Sequence, residues 1–121
     1  MIESIGQIAI VVKDVARATA FYRDTLGLKL LFEAGGMSFF DCDGVRLMLS
    51  LPSSPEYDHP GSILYYKVAD IHGAASEIKK KGAELDGEPH VVARMPDYDL
   101  WIAFVKDTEG NQLALMSEVP R

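Results

Sequence analysis

The stretch QIAIVVKDVARATAFYRDTLGL, residues 7–28, predicts a strand followed by a helix, and this pair decides the fold. The first six residues are apolar on both faces except for Gln7, which is typical of a strand covered on both sides. Asp14 is a suitable N-cap, and apolar side chains then recur at helical spacing until Gly27, where a left-handed C-cap residue belongs. If the helix packs on the β-branched face of the strand, Gln7 points to the opposite side.

The second half of the chain repeats this order. A strand is predicted over residues 63–68, Asp70 caps a second helix, and Gly82 closes it. The strand sequence RLML at 46–49 corresponds to QLAL at 112–115, so each half reads as one strand, one helix and three strands. The sequence therefore predicts an α+β fold built from two βαβββ modules that share a curled mixed sheet.

Length and punctuation set the expected domain organisation. The 121 residues are enough for a single domain covering 1–121. The proline-rich segment PSSPEYDHPGS predicts a linker at 52–62, between a first module at about 1–52 and a second at about 63–121.

Charge and composition exclude several classes of function. A formal net charge of −6 argues against nucleic acid as the main partner, because phosphate binding favours a basic surface. No apolar run is long enough to span a bilayer, and the N-terminus lacks the features of a signal peptide. The single cysteine, Cys42, excludes an internal disulfide and fits a reducing compartment. We therefore expect a cytoplasmic protein with no nucleic-acid or membrane partner.

The run FYRDTLGL after an Asp-capped helix, and the closing DTEGNQLALM, resemble the vicinal oxygen chelate superfamily of glyoxalases, bleomycin-resistance proteins and dioxygenases. The resemblance covers nearly the whole chain. It implies paired βαβββ modules whose sheets form a cup with ligand or metal on the concave face. Thr108 and Glu109 replace Pro and Asp of the closing turn usual in the family, while Gly110 retains the capacity for a positive φ.

The metalloenzymes of this superfamily hold a divalent ion through His, Gln or Glu side chains on the first and last strand of each module. By position, the resemblance carries these roles onto Gln7, Met48, Ile63 and Ala114. Only Gln7 has a ligating side chain, and one neutral amide oxygen cannot offset the desolvation of a divalent cation. The resemblance together with these residues therefore predicts a degenerate metal site and no cofactor.

The alternation of the strands adds other candidates for a concave, ligand-binding face. His90 opens a strand beside a proline, and a structural or polarity role is favoured for it over metal ligation or general-base catalysis. Trp101 follows the segment Met95–Asp99, which is predicted as a loop, and could form an aromatic wall, a dimer contact or ordinary core. The predicted ligand-binding residues are Gln7, Arg46, Met48, Ile63, Tyr65, His90, Trp101, Gln112 and Ala114.

These features favour metal-independent binding of a small hydrophobic or amphipathic molecule by a homodimer, as the resemblance to the bleomycin-resistance proteins implies. One alternative is an enzyme, a glyoxalase-like lyase or isomerase or a dioxygenase, that uses Gln7 and His90 in a rebuilt site. Another alternative is a regulatory or structural module without a ligand. The sequence assigns no catalytic residue.

Overall fold

The first half of the chain folds as a helix packed on a four-stranded sheet. The computed structural model describes residues 1–121 and divides into two units, Met1–Gly61 and Ser62–Arg121. In the first unit the strands follow the order β1-β4-β3-β2, with β1 parallel to β4 and the other pairs antiparallel. Its elements are β1 (Gln7–Val11), α1 (Val15–Ala20), β2 (Lys29–Ala34), β3 (Met37–Cys42) and β4 (Val45–Ser50).

The second unit repeats that topology. Its strands follow the order β5-β8-β7-β6, again with one parallel pair, β5 and β8, and two antiparallel pairs. Its elements are β5 (Leu64–Lys67), α2 (Ile71–Lys80), β6 (Glu84–Arg94), β7 (Tyr98–Lys106) and β8 (Gln112–Pro120). The predicted α+β fold of two repeated βαβββ modules is thereby confirmed, as eight strands in two mixed sheets.

Both helices begin where the capping residues predict. The Asp14 carboxylate accepts a hydrogen bond from the Arg17 backbone N–H at 3.0 Å, and the Asp70 carboxylate accepts one from the Gly73 N–H at 3.1 Å. Each bond satisfies a helix N–H that has no partner within the helix. The sequence therefore located both strand-to-helix junctions.

The first helix ends differently from the prediction. Regular α-helix stops at Ala20, and a π-helical turn continues over Phe21–Thr25. The Leu26 N–H donates to the carbonyl of Phe21, five residues earlier, at 3.0 Å. Phe21 and Tyr22 are both buried in this wider turn. No pattern in the sequence indicated it, since its spacing departs from the 3.6-residue period.

The core of the first unit lies between α1 and the sheet. Phe40, Leu47 and Leu49 are fully or almost fully buried on the face of the sheet that α1 contacts. The hydroxyl groups of Thr19 on α1 and Ser38 on β3 are 2.6 Å apart and also buried. Because the two hydroxyls bond each other, this polar pair joins helix and sheet without leaving an unsatisfied group.

The second unit has the equivalent core. Ile71, Ala75 and Ile78 form the buried stripe of α2, at the spacing expected for one helix face. They lie on the side of the sheet that carries Leu113 and Leu115, both buried. The alternation of these leucines, and of Leu47 and Leu49 in the first unit, correctly predicted which sheet face is covered by a helix.

The glycines of the predicted turns adopt positive φ values. Asp43 and Gly44 both have positive φ, 48° and 92°, which is the geometry of a two-residue type I′ turn. In the second unit, the Asp107 carboxylate accepts hydrogen bonds from the backbone N–H groups of Glu109 and Asn111, each at 2.8 Å. Gly110 has φ 82° in this turn, as its position predicted. Neither helix of the chain is long and apolar enough to cross a membrane.

Candidate functional site

The side of each sheet that faces away from its helix carries most of the predicted ligand-binding residues, and we call this side the distal face. In the first unit, strand register pairs Gln7 with Arg46 and Ala9 with Met48. Phe39 of β3 pairs with Met48 on the same side. Since directly paired residues point to the same face of a sheet, these five side chains share the distal face. The predicted orientation of Gln7, Arg46 and Met48 agrees with this register.

Gln7 and Arg46 bind each other. The Arg46 Nε–H donates to the Gln7 Oε1 at 2.7 Å, a short hydrogen bond with a charged donor. A guanidinium has donors and no acceptor, so the amide oxygen must be the Gln7 atom that faces it. The Gln7 Nε2 then points to the Met48 sulfur, at 3.7 Å.

Two aromatic rings lie beside this polar pair. The Arg46 guanidinium carbon is 5.6 Å from the centre of the Phe39 ring, within the range of a cation–π contact. Phe39 stacks on Phe32 with ring centres 4.5 Å apart, and Phe32 remains 46% exposed. Neither ring was predicted as a ligand-binding residue, although the alternation of β3, paired with Met48, indicates that Phe39 lies on this face.

The distal face of the second sheet is more apolar. Tyr65 pairs with Ala114, and Phe104 pairs with Ala114 from the other side. The rings of Tyr65 and Phe104 meet edge to face, with centres 6.2 Å apart. The structure thus brings together Tyr65 and Ala114 as predicted.

Two other predicted residues, Ile63 and Gln112, lie at or next to the ends of their strands and are less closely placed than Tyr65 and Ala114. Ile63 precedes β5 and is 42% exposed, and Gln112 begins β8 opposite Lys106. Two cations lie on this face: Lys67, whose ammonium lies 3.6 Å from the Glu118 carboxylate, and Lys106, which is opposite Gln112. Lys67 is therefore ion-paired, in contrast to Arg46.

Trp101 lies on the opposite face from the one predicted. The expected loop over 95–99 is shorter, because β7 already begins at Tyr98, and Trp101 lies within this strand. It pairs with Ser117 of β8, on the helix side of the sheet, and its ring meets the His72 ring of α2 at 4.9 Å. The prediction of Trp101 as an aromatic wall of the ligand-binding face is therefore wrong in its geometry.

His90 lies in β6 opposite Ile102 and is exposed. Its Nδ1 is 3.0 Å from the carbonyl oxygen of Glu88. Because a carbonyl only accepts, this hydrogen bond requires Nδ1 to carry the proton, which leaves Nε2 as the acceptor of the neutral ring.

The donor set does not fit a divalent metal ion, which the family resemblance implies for some members. Within neither unit do three His, Cys, Asp or Glu side chains group in a way that could hold a metal. Gln7 is the one ligating residue among the four carried-over positions, and its oxygen accepts from the Arg46 guanidinium. A cation at that oxygen would have to displace the guanidinium and then lie beside its positive charge.

Cys42 has the character of an unreactive thiol. It is partly buried at the end of β3 and forms no disulfide. Burial raises the pKa of the Cys42 thiol, and the negative charges of Asp41 and Asp43 raise it further. The thiolate is therefore disfavoured at neutral pH.

The family of the chain follows from its sequence match. Residues 4–115 match the model of the glyoxalase/bleomycin resistance protein/dioxygenase superfamily. The chain belongs to this superfamily. The resemblance inferred from FYRDTLGL and the closing turn is thereby confirmed.

Individual relatives within the superfamily differ in what they do. The chain is 30% identical over 76 residues to the metallothiol transferase FosB of Lysinibacillus sphaericus (strain C3-41), a match that covers 63% of this chain and 51% of that protein. The chain thus spans about half the length of this curated relative.

Two solved structures share the fold along almost their whole length. TnmS3, an antibiotic binding protein from Streptomyces sp. CB03234, has a TM-score of 0.77 at 22% identity, with 97% of each chain covered. A lactoylglutathione lyase from Agrobacterium tumefaciens has a TM-score of 0.73 at 21% identity, covering 97% of this chain and 95% of its own. At these identities the likeness shows the fold alone, so the function must be inferred from the residues of this chain.

Proposed function

We propose that the chain binds a small organic molecule with an aromatic or otherwise hydrophobic part, without the help of a metal ion. The observation that carries the proposal is a pair of aromatic rings on each distal face, Phe32 with Phe39 and Tyr65 with Phe104. Phe32 and Tyr65 are 46% and 47% exposed. A ligand that covers this aromatic surface would gain binding free energy from its burial. TnmS3, which shares the fold, is an antibiotic binding protein, and this supports a binding role.

The chemistry of the distal faces supports binding over metal-dependent catalysis. Apolar and aromatic walls with a few fixed polar groups are typical of sites for small organic ligands. In the first unit the polar groups are the bonded pair Gln7 and Arg46, beside Met48. These residues can orient a ligand by hydrogen bonds, while they offer no set of donors for a divalent ion.

A thermal-shift screen tests the proposal. Aromatic and carboxylated compounds are added to the protein, and the melting temperature is measured. A ligand at ten times its dissociation constant stabilises the native state by about 1.4 kcal/mol, which raises the melting temperature by several degrees. The Phe32→Ala and Tyr65→Ala variants are expected to lose part of the response. Leu31→Ala and Tyr57→Ala are matched controls, since both residues are exposed and belong to neither ring pair.

Two results would contradict the proposal. If no compound in a broad screen raises the melting temperature, a regulatory or structural module without a ligand is the better interpretation. If a compound stabilises the native chain and all four variants equally, the ligand binds away from the aromatic pairs.

An enzymatic role is the second candidate, and the His90 contact favours it. With Nδ1 bonded to the Glu88 carbonyl, Nε2 is the basic nitrogen and can accept a proton from a substrate. Because a lactoylglutathione lyase shares the fold, we propose to test whether His90 transfers protons. Exchange of an acidic C–H proton of a dicarbonyl–thiol adduct, followed by NMR, should then depend on His90 and be lost in His90→Asn. Equal exchange with and without protein would exclude this role for these substrates.

We further propose that the chain is a cytoplasmic homodimer. Each sheet ends in two edge strands, β1 and β2 in the first unit and β5 and β6 in the second. Edge strands carry unpaired main-chain groups that can be covered by a second copy. Light scattering at micromolar concentration should give twice the mass of one chain, and a single-chain mass across that range would contradict the dimer.

A further inference from the structure

We propose that Arg46 binds the anionic group of the ligand, specifically a carboxylate attached to an aromatic ring. The inference deepens the proposed binding function and rests on it. It assigns the ligand class from three features of the first distal face: the pairing of its cation, the direction of the guanidinium, and the rings beside it.

The first feature is that Arg46 has no acidic partner. Asp41 lies directly opposite Arg46 in the sheet, yet no ion pair joins them. The Asp41 carboxylate instead accepts a hydrogen bond from the Gly44 backbone N–H in the β3–β4 turn, at 3.2 Å. The positive charge of Arg46 is thus balanced only at a distance, and it is exposed and available to an anion.

Other arginines of the chain show how Arg46 differs. Arg23 lies 2.8 Å from the Asp24 carboxylate. Arg94 and Arg121 lie 3.0 Å and 2.9 Å from the two oxygens of Asp99. These arginines form ion pairs within the protein, whereas the Arg46 side chain makes its one hydrogen bond to a neutral amide.

The second feature is the direction of the guanidinium. Of its five N–H donors, the one on Nε is held by Gln7, which fixes the plane of the group. The four N–H groups on the two terminal nitrogens form the end of the fork. That end matches the two oxygens of a carboxylate, which it can bind with two parallel hydrogen bonds. Gln7 therefore acts as a positioning residue for Arg46.

The third feature is the aromatic surface next to the charge. The guanidinium lies over Phe39, and Phe39 stacks on the half-exposed Phe32. A flat ring attached to the bound carboxylate would meet these rings within a few ångströms of the cation. The site therefore suits an aromatic acid better than a small inorganic anion, which would leave the rings unused.

Binding of a matched pair of probes tests this inference. The probes are 2-naphthoate and 2-naphthamide, which share a ring and differ in charge, and the native chain is titrated with each by calorimetry or NMR. We expect naphthoate to bind about tenfold more tightly at low salt, as for a hydrogen bond to a charged group in a partly exposed site. The preference should decrease as salt screens the charge, while naphthamide binding stays unchanged.

Three variants locate the effect. Arg46→Met keeps the apolar stem over Phe39 and should reduce the preference to about one. Arg46→Lys keeps the charge but not the fork, so part of the preference should remain. Asp41→Asn preserves the acceptor for the Gly44 N–H and removes a nearby negative charge, so it should strengthen naphthoate binding and leave naphthamide binding unchanged. Circular dichroism verifies that each variant is folded.

The possible failures are distinguishable. Equal binding of both probes by the native chain overturns the anion inference and leaves the proposed binding function intact. A preference for naphthoate that survives Arg46→Met also overturns it, since another cation is then responsible. If neither probe binds, the assignment of aromatic carboxylates is wrong, and the broad thermal-shift screen decides separately whether the chain binds other small molecules.

Discussion

The two units have the same scaffold but different distal faces. Arg46 in the first unit corresponds to Gln112 in the second, and Gln7 corresponds to Ile63. Phe39 and Phe104 are likewise equivalent, since each pairs with the residue two places after Arg46 or Gln112. The first face thus carries an arginine held by an amide beside its rings. The second carries rings beside two lysines, the ion-paired Lys67 and Lys106 opposite Gln112. The helix side, by contrast, has leucines at equivalent positions in both units.

This contrast separates what the fold requires from what binding requires. A residue that packs under a helix is constrained by volume, and so the repeat retains leucine at both positions of both units. A residue on the distal face is free of that constraint and can take up a chemical role. The divergence of Arg46 from Gln112 therefore gives the first distal face, and not the second, a guanidinium that is held in place by an amide.

The largest expected effect tests the common scaffold. Leu47 and Leu113 are equivalent and each is 2% exposed. Leu47→Ala and Leu113→Ala should each lower the free energy of unfolding by about 2–5 kcal/mol, because each leaves a cavity under its helix. Denaturant unfolding measures both values. A loss below about 1 kcal/mol in one unit only would show that the two cores are not equivalent.

The scaffold could be predicted from the sequence because the patterns that indicate it, helix caps and strand alternation, are local. Asp14 and Asp70 cap helices by bonding N–H groups three residues away, and the leucine alternation requires only the period of a strand. The π-helical turn over Phe21–Thr25 has no such signal, and neither does the early start of β7. Trp101 was misplaced for a different reason. Both faces of β7 are apolar, so alternation alone could not choose between them.

The next largest effect tests whether the distal-face difference resides in two residues. The Ile63→Gln and Gln112→Arg substitutions together transfer the bonded pair of the first unit to the equivalent positions near Phe104. We expect the double variant to gain a second naphthoate site, so that calorimetric stoichiometry rises from one to two per chain. Gln112→Arg alone should bind more weakly by up to about tenfold, because nothing then holds the guanidinium plane. An unchanged stoichiometry would show that the rings of the two units are not interchangeable.

The sequence predicted several residues of the candidate site but not the contacts between them. Gln7, Arg46 and Met48 were assigned to one face by alternation, which the register confirms. The hydrogen bond from Arg46 to Gln7 depends on the parallel pairing of β1 with β4, which joins residues 39 positions apart. Long-range register is not visible in a local pattern, so the fixed guanidinium could be found only in the structure.

A smaller effect distinguishes the hairpin turns of the two units. In the first unit Cys42 directly precedes the turn, and the pKa of its thiol is raised by burial and then by Asp41 and Asp43. Raising the pKa keeps the thiol protonated at neutral pH, so alkylation by iodoacetamide should be slower than that of a free cysteine and accelerate only in alkaline solution. Asp43→Asn tolerates the positive φ of 48° and should increase the rate at pH 8 by about two- to threefold. Glu33→Gln, on the neighbouring strand, is the matched control and should leave the rate unchanged.

The smallest expected effect is that of divalent ions on the native chain, which we predict to be zero. The Gln7 oxygen accepts from Arg46, and the equivalent position in the second unit is Ile63, which has no ligating atom. The purified protein should therefore contain no stoichiometric zinc, nickel, iron or manganese, and a chelator should not change its melting temperature. One tightly held ion per chain would contradict both this prediction and the role assigned to Arg46.

The Arg46→Glu variant provides a positive test, because it removes the guanidinium and places a carboxylate between Gln7 and Asp41. Three oxygen donors would then share one face, and manganese at about millimolar concentration should stabilise this variant. Arg46→Met, which removes the charge without adding a donor, should remain as insensitive to manganese as the native chain.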